Sequence, residues 1–166
     1  MKRLLILPLF LAGCGTGDPQ DGNATGAEAA QRQAVRTAEL TGLYEGAARG
    51  ARRDQLCIID RATGNSRFGL VTWSEGDRNC SGIGQAVRDG GTLRLTMAGD
   101  EQCVIEATIA NGTVTMPGEF PQGCAYYCGP GASMAEARFE KTGDTAEDAM
   151  RATDLVGDPL CAEWPG

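Results

Sequence analysis

Apolar and polar residues alternate with a period of two through most of the chain beyond residue 41, and each alternating run ends in a cluster of turn residues. The run Cys103-Val104-Ile105-Glu106-Ala107-Thr108-Ile109 is followed by Asn111-Gly112 and then by Thr113-Val114-Thr115-Met116. Asn-Gly between two such runs supplies the positive-φ pair of a tight hairpin, so antiparallel pairing is predicted there. Asp89-Gly90-Gly91 separates Ile83 to Val87 from Leu93 to Met97, and Ala98-Gly99-Asp100 turns the chain into the next run. Thr63-Gly64-Asn65 likewise separates Leu56 to Ile59 from Phe68 to Trp73. With a first strand from Gly42 and a last one from Ser133, the pattern predicts eight strands, at about residues 42–47, 55–60, 67–74, 80–88, 92–98, 103–110, 113–117 and 133–140. Eight antiparallel strands can close on themselves and leave no edge, so the predicted fold is mainly β, a small up-and-down barrel or barrel-like meander.

The flanks read differently. From Gly15 to Gly26 there is no large apolar side chain to offset the entropy of ordering, which predicts a tether. Residues 27–40 have high helix propensity but an apolar face made mostly of alanine, apart from Val35 and Leu40, so a weak, lightly docked helix is expected. After the strands, Thr145-Ala-Glu-Asp148 is a capping-box-like start to a helix carrying Ala146, Ala149, Met150 and Leu155, stopped by Gly157-Asp158-Pro159. Ser81-Gly82-Ile83-Gly84 lacks the third glycine and the strand-turn-helix context of a dinucleotide site, and reads better as glycines over which a side chain packs.

The first residues have the form of a secretory signal: Met1-Lys2-Arg3, the apolar run Leu4 to Leu11, then Ala12-Gly13-Cys14. That run is far short of the roughly 20 apolar residues a membrane-spanning helix needs. Leu11-Ala12-Gly13-Cys14 resembles the lipobox of bacterial lipoproteins. The resemblance implies cleavage before Cys14 and acylation of that cysteine, with several acyl chains giving a stable anchor. It also implies sorting, since Gly15 stands where an aspartate would favour retention in the inner membrane, so the expected location is the cell envelope, at the outer membrane facing the periplasm. The expected division is a signal segment over 1–13, the lipidated tether and weak helix over 14–40, and a disulfide-stabilised β domain with its C-terminal helix over 41–166. Without residues 1–13 the chain carries 13 basic and 22 acidic side chains, a net charge of −9 that argues against nucleic-acid binding.

Six cysteines follow Cys14: Cys57, Cys80, Cys103, Cys124, Cys128 and Cys161. An even number in an exported chain predicts three disulfides, whereas a zinc site would want closely paired ligands and the chain has no histidine. In an up-and-down meander the connections after the first, third, fifth and seventh strands share one pole. Cys57, Cys80 and Cys103 lie at or near the starts of strands two, four and six, so they are expected at that pole together with the long connection 117–132. Of the fifteen possible pairings, the expectation is Cys80 with Cys103, Cys57 with Cys161 and Cys124 with Cys128. The same pole gathers Arg52, Arg53, Trp73, Arg78, Phe120, Tyr126 and Tyr127, a candidate binding group for sugars, carboxylates or a protein. The plainer reading makes Trp73 and Phe120 core plugs and the arginines a solvated rim.

Catalytic chemistry is sparse. The absence of histidine removes Ser-His-Asp and Cys-His mechanisms, and Lys141 is the only lysine beyond residue 13. No catalytic residue, metal or cofactor is predicted, and the chain is expected not to be an enzyme. The run Cys124-Ala-Tyr-Tyr-Cys128-Gly-Pro-Gly-Ala-Ser133 resembles a segment of uncharacterised exported bacterial proteins, which implies no named activity. The architecture is also similar to lipid-anchored lipocalins and to membrane-bound lysozyme inhibitors. Gly42-Leu43-Tyr44 departs from the lipocalin Gly-x-Trp start, and the inhibitor motifs do not align. The expected role is a non-enzymatic envelope module that binds an envelope ligand or protein. The alternatives are a structural or assembly lipoprotein, lysozyme inhibition, or a carboxylate-based hydrolase.

Overall fold

A computed structural model describes Glu28, residues 40–61 and residues 66–162. The signal segment, Cys14, the tether, the Thr63-Gly64-Asn65 turn and all of the expected 27–40 helix except Glu28 and Leu40 lie outside the described residues.

Eight strands form a closed antiparallel barrel in chain order: β1 (Gly42–Arg49), β2 (Arg52–Ile59), β3 (Ser66–Trp73), β4 (Asn79–Asp89), β5 (Thr92–Met97), β6 (Val104–Ala110), β7 (Thr113–Thr115) and β8 (Arg138–Gly143). β1 closes the ring against β8 through Leu43, Tyr44 and Glu45 opposite Gly143, Lys141 and Glu140. The Asn-Gly hairpin forms as its residues require, with Asn111 at φ 51° and Gly112 at φ 76°.

Period-two alternation decides what fills the barrel. Tyr44, Leu56, Ile58, Phe68, Leu70, Leu93, Leu95, Ile105 and Phe139 are all at most 2 % exposed and form one core. An eight-stranded barrel is just wide enough for such side chains to fill it. The glycines of β4 make room for them. A Cβ on Gly84 would stand 2.9 Å from Phe68 Cε1, and one on Gly82 would stand 2.4 Å from Met97 Cε.

A second apolar cluster lies on the outer wall, where Leu43, Cys57 and Val71 of β1–β3 are covered by Ala149, Ala152, Leu160 and Cys161. This C-terminal strap begins with α1 (Ala146–Ala149), capped as its sequence suggests: Thr145 Oγ1 accepts the Asp148 N–H at 3.0 Å and Asp148 Oδ2 accepts the Thr145 N–H at 3.1 Å. The helix is a single turn, shorter than expected. Asp154 Oδ1 accepts the N–H groups of Val156, Gly157 and Asp158, each at 2.9 Å, and so favours a turn over continued helix. Leu155 is 45 % exposed as a result and does not join the buried face.

Two expectations are corrected. The last strand is Arg138–Gly143 and not 133–140, because Ser133 Oγ accepts the Ala135 N–H at 3.0 Å and Glu136 sits at φ 59°, a turned conformation no strand accommodates. Of the disulfides, Cys57–Cys161 forms as expected, but the others are Cys80–Cys128 and Cys103–Cys124. β5 lies between the strands that carry or follow Cys80 and Cys103. Two strand spacings, roughly 9–10 Å, exceed the reach of a disulfide, whose Cα atoms rarely stand more than about 7 Å apart. Cys57 also departs from the predicted pole: it lies within β2 opposite Leu43 and Gly69, and its sulfur turns outward to the strap. Two clasps therefore sit at one rim and the third on the wall.

Candidate functional site

The connections after β1, β3, β5 and β7 emerge at one end of the barrel. The last of these, residues 116–137, is a cover rather than a loop. Its proline- and glycine-rich sequence supports no ladder, yet Gln122–Tyr127 winds into a 3-10 turn held from both sides. Cys124 is bonded to Cys103 and Cys128 to Cys80. The Gly129 N–H donates to the Asn79 carbonyl at 2.9 Å, and the Tyr127 hydroxyl donates to the Ala98 carbonyl at 2.8 Å. Burial, with Asp100 near it, holds the Tyr127 phenol above its usual pKa.

The seven residues singled out from the sequence all belong to this end, in two groups. Arg52 stacks over the Trp73 ring at 4.5 Å and pairs with Asp77, while Arg53 faces Glu45 at 3.6 Å. Trp73 packs on the outer wall, so it is not a core plug. Phe120 does pack against the core. The Tyr126 and Tyr127 rings meet edge to face at 5.6 Å, with Tyr126 87 % exposed. Arg78 links the groups: its Nε donates to the Glu75 carbonyl at 2.8 Å and its guanidinium lies against Gly131 of the cover.

Two adjoining pockets open here and share Ser133. One, of about 410 Å³, lies inside the cover and is lined by Phe120, Cys124, Ala125, Cys128, Pro130 and Met134 among others. The other, of about 320 Å³, lies where the cover returns to the barrel and is lined by Arg49, Asp54, Thr72, Trp73, Glu136 and Arg138. Asp54 is 5 % exposed, and its Oδ1 accepts the Trp73 N–H at 2.7 Å. Burial raises its carboxyl pKa, against the opposing pull of that hydrogen bond and of Arg49. Arg49 Nε donates to the Trp73 carbonyl at 2.5 Å. The Thr72 hydroxyl is buried with no hydrogen-bond partner among the described residues, and burying such a group costs about 1–3 kcal/mol.

Arg49, Asp54, Thr72, Glu136 and Arg138 were not among the residues the sequence pointed to. A signal for two of them exists: in the inward-facing series Asp54-Leu56-Ile58 and Phe68-Leu70-Thr72, the residue at the same end of each is polar. Compared with protein-family models, curated proteins and solved structures, the chain matches none.

Proposed function

We propose that this protein is a lipid-anchored binding module of the bacterial cell envelope, held through Cys14 and engaging an envelope ligand or protein with the cover end of its barrel. The reading is carried by one observation: Tyr126 is 87 % exposed on a segment that two disulfides hold rigid. A large aromatic side chain kept in water on a preorganised surface contributes little to folding, and it is the kind of group that dominates binding energy at interfaces. The filled interior supports the same end, since a ligand finds apolar surface at the rim and not inside the barrel. Three disulfides suit an oxidising compartment, and the lipobox-like leader and Gly15 suit the periplasmic face of the outer membrane.

The test is capture of solubilised envelope components by the immobilised full-length protein, run beside a lysozyme turbidity assay. The expected result is a partner, or an inhibition, that Tyr126→Ala or Arg78→Ala weakens by about thirtyfold or more, the size of an interface hot spot. Arg94→Ala, on the β5–β6 wall where Arg94 pairs with Glu106 at 3.0 Å, serves as the control and should change nothing. Equal binding by the wild type and both cover-end variants overturns the proposal.

A further inference from the structure

The pocket beside the cover has its charges arranged in depth. Asp54 and Thr72 lie one step beyond the Gln55–Val71 pair of β2 and β3, so both face inward at the same level and form a floor. Asp54 brings a carboxylate there, and among the described residues it makes no ion pair. Thr72 brings a hydroxyl that no group among the described residues satisfies. Arg49 and Arg138 are exposed and line the same pocket. Arg49 uses its Nε on the Trp73 carbonyl, and Arg138 makes no ion pair among the described residues. Glu136, also in the lining, is held at φ 59°, a conformation that non-glycine residues rarely adopt and that collects at ligand clamps.

A simple anion meets the Asp54 carboxylate at the floor, and a simple cation meets Arg49 and Arg138 in the exposed lining beside Glu136. A molecule with a positive end leading and a negative end trailing satisfies both layers. We propose that this pocket binds a small zwitterion, a free amino acid or a dipeptide, with its ammonium group on Asp54 and Thr72 and its carboxylate on Arg49 and Arg138. The volume of about 320 Å³ accommodates a molecule of that size. The inference rests on the reading that this end of the barrel is the binding end, and it adds the ligand class and the residues.

Titration of the 15N-labelled full-length protein with alanine and with alanyl-alanine, followed by NMR, tests it. Saturable shifts are expected at the Trp73 amide and the Arg49 Nε–H. The tighter of the two ligands assigns the source as free amino acid or peptide. N-acetylalanine, which lacks the ammonium, and alanine amide, which lacks the carboxylate, should bind at least about tenfold more weakly. Asp54→Asn and Arg138→Ala should each weaken binding by a similar factor. If Asp54→Asn fails to fold, the blocked ligands and the exposed Arg138 variant still decide the matter. Absence of a saturable shift with both ligands, or an equal response to the blocked compounds, overturns the proposal. Should Tyr126-dependent envelope binding persist without any zwitterion response, this site falls and the wider reading stands; should neither respond, both fall.

Discussion

Replacing Cys57 and Cys161 together by alanine should cost more stability than removing either clasp of the cover. A crosslink stabilises mainly by restricting the unfolded chain, and the effect grows with the logarithm of the loop it closes. The three disulfides close loops with sequence separations of 104, 48 and 21 residues, for which the chain-entropy relation gives about 4.7, 4.1 and 3.3 kcal/mol. The extremes differ by about 1.4 kcal/mol, roughly tenfold in the folding constant. Packing losses do not reorder them, because five of the six cysteines are almost fully buried and each pair includes at least one of those five. Urea denaturation followed by far-ultraviolet circular dichroism measures the difference. The unlinked variants should also show steeper transitions, since a longer free chain exposes more surface on unfolding. If the Cys103–Cys124 double variant proves less stable than the Cys57–Cys161 variant, the unfolded-state reasoning is wrong and native-state contacts govern the cost.

Two further perturbations separate the strap from the site. Gly69→Ala places a Cβ 2.6 Å from Leu160 Cγ and 2.7 Å from the Leu160 carbonyl oxygen, so it should destabilise by about 1–3 kcal/mol in the same urea assay. That penalty should shrink when Cys57 and Cys161 are both alanine, because the freed strap can move away; an unchanged penalty would show that the strap stays seated without its crosslink. For Asp54, burial raises the folded-state pKa above the unfolded value, so the neutral acid is favoured on folding. The wild type should therefore hold its greatest advantage over Asp54→Asn below the unfolded carboxylate pKa of about 3.9, and lose it as pH rises through the folded value. A difference that is flat with pH, or that grows toward neutrality, refutes the assignment of burial as the dominant cause.

The strands were readable because each rests on a local pattern, such as the alternation through Leu93 to Met97 or the Asn111-Gly112 turn, and barrel closure follows from having eight of them. The cysteine pairing was not readable in the same way. Cys80 and Cys103 look like partners along the chain because each stands near the start of a strand, but the pair skips over β5, and only the order of strands around the ring reveals the gap. The start of the last strand was missed because Ser133 to Ala137 contains no glycine or proline, and its turn is made instead by the Ser133 hydroxyl and by Glu136 at positive φ. The rim residues Arg52, Trp73 and Tyr126 stood out by chemical type. Asp54 and Thr72 did not, since their meaning comes from facing inward on adjacent strands, a property of register and not of composition.

The direction in which the chain enters the barrel bears on the proposed anchor. Leu40 is fully buried and its carbonyl accepts the Tyr44 hydroxyl at 2.8 Å, which fixes the chain where it arrives at β1. β1 begins there, and the connections after β1, β3, β5 and β7 lie at the other end. Leu40 therefore leads into the barrel at the end opposite the cover. Of the remaining surfaces, the β1–β3 wall is occupied by the strap and the β5–β6 wall presents the Arg94–Glu106 pair to water. Under the proposed anchoring through Cys14, the cover, with Tyr126 and the two pockets, lies at the end of the barrel opposite Leu40, where the described chain arrives at β1.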